Sequence, residues 1–105
     1  MSTPYDRSHL DALLTGRTAD IAVPTGTAYF FYGADGSAAV SLPDGTRRKG
    51  HWKLDDDCYE AQWPGLPPGR TQVLPGADGW EMRDATTGEP RGRVIALRPG
   101  NPQGL

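Results

Sequence analysis

From Thr18 to Arg98 the chain is written in short apolar, aromatic or β-branched runs, each broken by a cluster of turn formers. The breaks are Pro24-Thr25-Gly26, Ala34-Asp35-Gly36, Pro43-Asp44-Gly45, Asp55-Asp56-Asp57, Pro75-Gly76-Ala77-Asp78-Gly79 and Thr87-Gly88-Glu89-Pro90. Glycine supplies positive φ in such turns, proline presets φ, and aspartate bonds to the backbone two residues on. They recur roughly every 8–12 residues, the spacing of an all-β sandwich or barrel. The runs between them predict strands at Ala19–Val23, Thr27–Tyr32, Ala38–Leu42, Thr46–Leu54, Cys58–Trp63, Thr71–Leu74, Trp80–Asp84 and Arg93–Arg98. With connections this short, neighbouring strands are expected to pair antiparallel, as a meander. The one long gap, Pro64 to Arg70, is too rich in proline for a central strand.

Ahead of the strands, Ser8–Leu14 is the one predicted helix. Leu10, Leu13 and Leu14 fall at i, i+3 and i+4 and make a single apolar stripe. Ser8 is the expected N-cap, with Asp11 three residues on in a weaker form of the capping box, and Gly16 is the expected stop. A helix of about two turns does not persist alone in water, so the stripe must dock on the sheet.

Alternation sorts the faces. In Thr46–Leu54, Arg48, Gly50, Trp52 and Leu54 share one side, while Arg47, Lys49, His51 and Lys53 share the other, which reads as solvent-facing. Trp80 and Met82 likewise oppose Glu81 and Arg83. In Ala28–Tyr32 neither face is polar, because Tyr29 and Phe31 oppose Ala28, Phe30 and Tyr32. Such a strand is buried on both faces or lines a cavity with one. The expected fold is therefore all-β: a small antiparallel meander sheet or barrel of about eight short strands with one short N-terminal helix.

Composition narrows the class further. A chain of 105 residues builds one domain with one core, expected to span 1–105 with flexible ends at 1–7 and 103–105. Fourteen Gly and ten Pro suit many tight turns, and three Trp, four Tyr and two Phe argue against wholesale disorder. Eleven basic against thirteen acidic residues leave a net charge of −2, which provides no electrostatic reason to expect nucleic acid. No apolar run approaches the ~20 residues of a spanning helix, so no membrane partner is expected. The N-terminal Met-Ser-Thr-Pro-Tyr-Asp-Arg-Ser-His has no secretory pattern, and the lone Cys58 allows no internal disulfide. Together these predict a cytoplasmic location.

The middle of the chain resembles a family of small bacterial proteins of unknown function, common in alphaproteobacteria. The shared features are the aromatic strand Tyr29 to Tyr32, the Asp35-Gly36 turn and Gly50-His51-Trp52. The acidic turn Asp55 to Asp57, Cys58, Trp63 and the closing Gly100-Asn101-Pro102 complete the pattern, so the likeness spans Leu14 to Pro102. It implies a calycin-like sheet or barrel and supplies no reaction. Family members are often exported with a second Cys in a later strand, which this chain lacks around Thr71 to Val73.

Several clusters invite chemistry. His51 with Asp55, Asp56, Asp57, Cys58 and Glu60 is the densest, and His51 and Cys58 could approach across a hairpin. A metal site needs three or four ligands converging on one ion, whereas three aspartates at a hairpin tip read as a solvated turn. No metal and no cofactor are expected. Cys58 lacks any cysteine-enzyme signature around it and reads as a small buried residue. Arg47, Arg48, Lys49 and Lys53 beside Trp52 form a short basic strip that the following acidic turn neutralises. The glycine-rich loops lack a phosphate-binding pattern.

Aromatic residues carry the most promising signal. Tyr29, Phe31, Trp52, Tyr59, Trp63 and Trp80 are many rings for a thin core, and ligand pockets are lined by such side chains. The leading expectation is a non-catalytic domain binding a small apolar or aromatic ligand through these six. The alternatives are an interaction module that dimerises or docks through a sheet face or edge strand, and a small barrel isomerase, cyclase or dehydratase.

Overall fold

Every connection after the helix is a turn or short loop, and each strand pairs antiparallel with the next, all the way round. The computed structural model describes residues 3–105. Its strands are β1 (Arg17–Val23), β2 (Gly26–Tyr32), β3 (Ser37–Ser41), β4 (Arg47–Leu54), β5 (Tyr59–Gln62), β6 (Gly69–Gly76), β7 (Gly79–Asp84) and β8 (Pro90–Pro99). β8 then pairs with β1, so the meander closes into a barrel. Closure leaves no edge strand among these eight, and the edge-strand form of the docking alternative has nothing to pair with.

The expected turns form by a repeated device. Asp35 Oδ1 accepts the Ser37 amide at 3.0 Å, Asp44 Oδ1 accepts Thr46 at 2.9 Å, and Asp84 Oδ1 accepts Thr86 at 2.7 Å and Thr87 at 3.0 Å. Each carboxylate satisfies backbone donors that the chain reversal would otherwise strand.

The helix α1 (Arg7–Leu14) begins one residue earlier than the sequence suggests, and its cap is Asp6, not Ser8. Asp6 Oδ1 accepts the His9 amide at 2.9 Å, and a carboxylate there also faces the positive helix end. Asp11 does not complete a capping box; it accepts the Thr15 hydroxyl at 2.6 Å and ties down the other end. Gly16, with φ of 75°, stops the helix as expected and donates its amide to Tyr32 O at 2.6 Å. Leu10 and Leu14 are fully buried, so the predicted stripe plugs one end of the barrel.

Both ends of the chain carry backbone hydrogen bonds where the structure describes them, residues 1–2 lying outside. Tyr5 donates its amide to Val73 O, beyond the short pairing of β5 with β6, and Arg7 donates to Asp56 O, both at 2.9 Å. At the other terminus the Asn101 side chain exchanges two hydrogen bonds with the Leu105 backbone, at 2.7 and 3.0 Å. The N-terminal bonds reach β6 and the acidic turn, whereas the C-terminal pair closes a local turn.

Burial follows the predicted faces in β4: Trp52 is buried while Arg47, Lys49, His51 and Lys53 are exposed. Trp52 Nε1 donates to Gly33 O at 2.8 Å, and its ring meets Tyr32 edge-on at 5.1 Å. Two residues earlier, a side chain at Gly50 would run into the Gln62 carbonyl and lie 2.8 Å from the Trp63 ring. The Gly-x-Trp spacing therefore packs two tryptophans with one glycine. Trp52→Ala is expected to cost about 3–5 kcal/mol in chemical denaturation. His51→Ala, on the outer face, should change stability by less than about 0.5 kcal/mol. Equal losses for the two would show that the β4 register is misassigned.

Candidate functional site

Strand directions decide where a ligand could enter. α1 precedes β1, so β1 starts at the plugged end and runs away from it. The β1–β2, β3–β4, β5–β6 and β7–β8 connections therefore gather at the opposite end. An eight-stranded barrel has an interior just wide enough for its own side chains or one small ligand. Here part of it is unfilled. A cavity of about 310 Å³ lies between Phe30, Tyr59, Trp63 and Leu66, with Ala28, Ala61, Val40, Leu42, Ile21, Val23, Thr71 and Met82 completing the apolar wall. Arg48, Arg91 and Gly69 complete the lining.

Ring contacts set the cavity's inner surface. Phe30 stacks on Tyr32 at 4.2 Å and takes the edges of Tyr59 at 5.9 Å and Trp63 at 5.5 Å. Beneath them the Tyr32 hydroxyl donates to the Tyr59 hydroxyl at 3.0 Å, both buried. Desolvation raises both phenols, that of Tyr59 to about 12, and so neither ionises near neutral pH.

The six expected site residues divide. Tyr59 and Trp63 line the cavity. Trp52 supports Tyr32 and Tyr59 from below, edge-on at 5.1 and 6.2 Å, without reaching the void. Trp80 packs half-buried against the core near the plugged end, at the start of β7. Tyr29 and Phe31 do not line the cavity: β2 turns Ala28, Phe30 and Tyr32 inward, and the two expected rings sit half-buried on the other face. Because both faces of β2 are aromatic, alternation alone does not say which is inside.

The two arginines are residues that the sequence reading left out of the site. Arg48 was legible, since it shares the Trp52 side of β4. Arg91 was not. Pro90 and Gly92 pair with consecutive residues Arg83 and Met82, which makes Arg91 an extra residue on β8. A bulge of this kind at a barrel rim re-aims a side chain that regular alternation would place elsewhere. Arg91 is then fixed by Asp84, whose Oδ2 accepts from its Nη2.

Around His51 the hairpin register puts Gln62 opposite His51 and Tyr59 opposite Leu54, so Cys58 lies in the turn and does not face the imidazole. Burial raises the Cys58 thiol. The acidic turn is more than a solvated tip. Asp55 pairs with Arg70 of β6, and Asp57 accepts Gln72 Nε2 at 3.1 Å, fastening the turn to the next strand. No cluster of three His, Cys, Asp or Glu side chains able to hold a metal occurs among the described residues. None of the described helices is long and apolar enough to cross a membrane.

A larger depression of about 670 Å³ runs along β7 and β8 beside the β1–β2 turn. It carries Glu81, Arg83, Arg91 and Arg93 but no aromatic side chain, and so offers a weaker seat for an apolar ligand. Comparison with protein-family models, curated proteins and solved structures finds no match for the chain.

Two outcomes test this geometry. Tyr32→Phe removes the donor to a buried hydroxyl and should destabilise by about 1–3 kcal/mol without altering the strand content seen by circular dichroism. The Asp84 carboxyl is held down from its ordinary 3.8 to about 2, chiefly by Arg91 and then by the Thr87 and Thr86 amides. A carboxyl depressed on folding stabilises above its unfolded value, and that contribution fades as pH falls through the folded one. The thermal advantage of the native chain over Asp84→Asn should therefore be full at about pH 6 and shrink between about pH 4 and pH 2. An advantage independent of pH would show that Asp84 is not clipped to Arg91.

Proposed function

We propose that this barrel binds a small apolar or aromatic molecule in its open end, without transforming it. The observation that carries the reading is the ring-lined cavity between Phe30, Tyr59 and Trp63, continuous with the core yet unfilled. It has the concave, mainly apolar lining with a few polar groups that ligand sites share.

Two features favour binding over the alternatives. The lining holds no Asp, Glu, His or Cys, and the Tyr59 phenol is pushed up to about 12, so a barrel isomerase or dehydratase would lack a ready proton acceptor there. Docking through a sheet face finds little apolar surface, because Tyr29 and Phe31 are half covered. Among the described residues the exposed large apolar side chains are Leu66 and Ile95, and Leu66 lines the cavity itself.

A neutral naphthylamine dye whose fluorescence rises in apolar surroundings provides the test. It should bind at one site per chain. Ala61→Leu, which adds bulk to the cavity wall, should weaken it by about tenfold or more while the fold persists. Dye binding that Ala61→Leu and Ala28→Leu leave unchanged would place the site elsewhere, and no binding at all would overturn the reading.

A further inference from the structure

The cavity's chemistry changes with depth. Its inner wall is neutral, made of rings, aliphatic side chains and Thr71. Arg48 and Arg91 each stand second in their strand, both strands starting at the open end, so two guanidinium groups belong to the rim. No carboxylate lines the space, although acidic residues outnumber basic ones 13 to 11 in the chain. Of the carboxylates beside these arginines, Asp44 accepts the Thr46 amide at 2.9 Å, and Asp84 accepts the Thr86 and Thr87 amides while its Oδ2 takes one N–H of Arg91.

We propose that the barrel's ligand is a small amphiphilic carboxylate, its apolar body against Phe30, Tyr59 and Trp63 and its anionic head on Arg48 and Arg91. The inference rests on the ligand-binding reading above and names the class of ligand. A guanidinium presents its N–H donors in a rigid planar fork that matches the two oxygens of a carboxylate. Arg48 makes no ion pair among the described residues, so all its donors remain for a ligand. Arg91 uses Nη2 on Asp84, while its Nη1 lies 3.7 Å from the point where a side chain at Gly69 would begin. Glycine at that position leaves the guanidinium an open path along the cavity wall. A space of about 310 Å³ sits near the lower end of ligand pockets, and it suits one ring system or a medium-length acyl chain better than a long lipid.

Calorimetric titration of the full chain with decanoate, decanol and decylamine, matched in length and differing in charge, separates the possibilities. Decanoate should bind at least about tenfold more tightly than decanol at low salt, and decylamine more weakly than either. Arg48→Gln should remove about tenfold from decanoate affinity and leave decanol unchanged. Arg91→Lys, which keeps the charge and loses the fork, should weaken decanoate less than Arg91→Gln does. Equal affinities for decanoate and decanol, tighter decylamine, or an Arg48→Gln loss shared by decanol would each overturn the inference while leaving a neutral ligand site standing. Failure of all three probes and of the neutral dye would instead overturn the cavity reading, and this inference with it.

Discussion

Closure of β8 on β1 is the constraint on which the rest of this molecule depends. Eight short strands with a free edge at each side would expose unpaired backbone donors and acceptors; joined, they satisfy each other. Closure also requires β8 to follow two neighbours at once, and it does so with two irregularities. Opposite β7 the extra residue is Arg91; opposite β1, Asp20 and Ile21 pair with Ala96 and Val94, which leaves Ile95 as the extra residue. The second bulge lets Val94 be buried while Ile95 is exposed, and the first sends Arg91 to the rim. Gly92 between them permits the approach, since a side chain there would lie 2.9 Å from the Ile21 side chain.

Interior space is then distributed unevenly by residue size. Leu10, Leu14, Tyr32 and Trp52 pack the plugged half, where helix and sheet meet. Toward the open half the strands contribute Ala28 and Ala61, and the volume they do not fill becomes the cavity. Void next to aromatic walls forgoes dispersion contacts, a cost that a ligand of the right size would recover. The buried Tyr32–Tyr59 hydroxyl pair marks the boundary between the two halves. Each phenol oxygen takes part in that bond, so the packed half carries no unpaired phenol into the apolar interior.

How much of this was legible depends on how local each signal is. The Asp-Gly turns could be read because the side chain and the amide it binds lie two residues apart. The face of β4 could be read because four charged or polar residues alternate with Trp52 and Leu54. The cap is less legible, since Asp6 and Ser8 are both competent cap residues two positions apart, and the helix takes Asp6. Of the six rings singled out in the sequence, Tyr59 and Trp63 line the cavity, while Trp52, Trp80, Tyr29 and Phe31 do not.

By itself the sequence determined the class of fold, the number and order of strands, the helix stripe and the turns, because each is set by neighbours within a few positions along the chain. Tertiary structure decided which aromatic face of β2 is inside. Phe30 and Tyr32 have buried partners across the barrel in Tyr59 and Trp52, and nothing in Tyr29 and Phe31 alone distinguishes them from such residues. It also decided that Arg91, seven residues from Asp84 in sequence, lines the same cavity as Arg48 of a distant strand. A bulge depends on the register that closure imposes on β8, and that register is a property of two non-adjacent strands rather than of any stretch of chain.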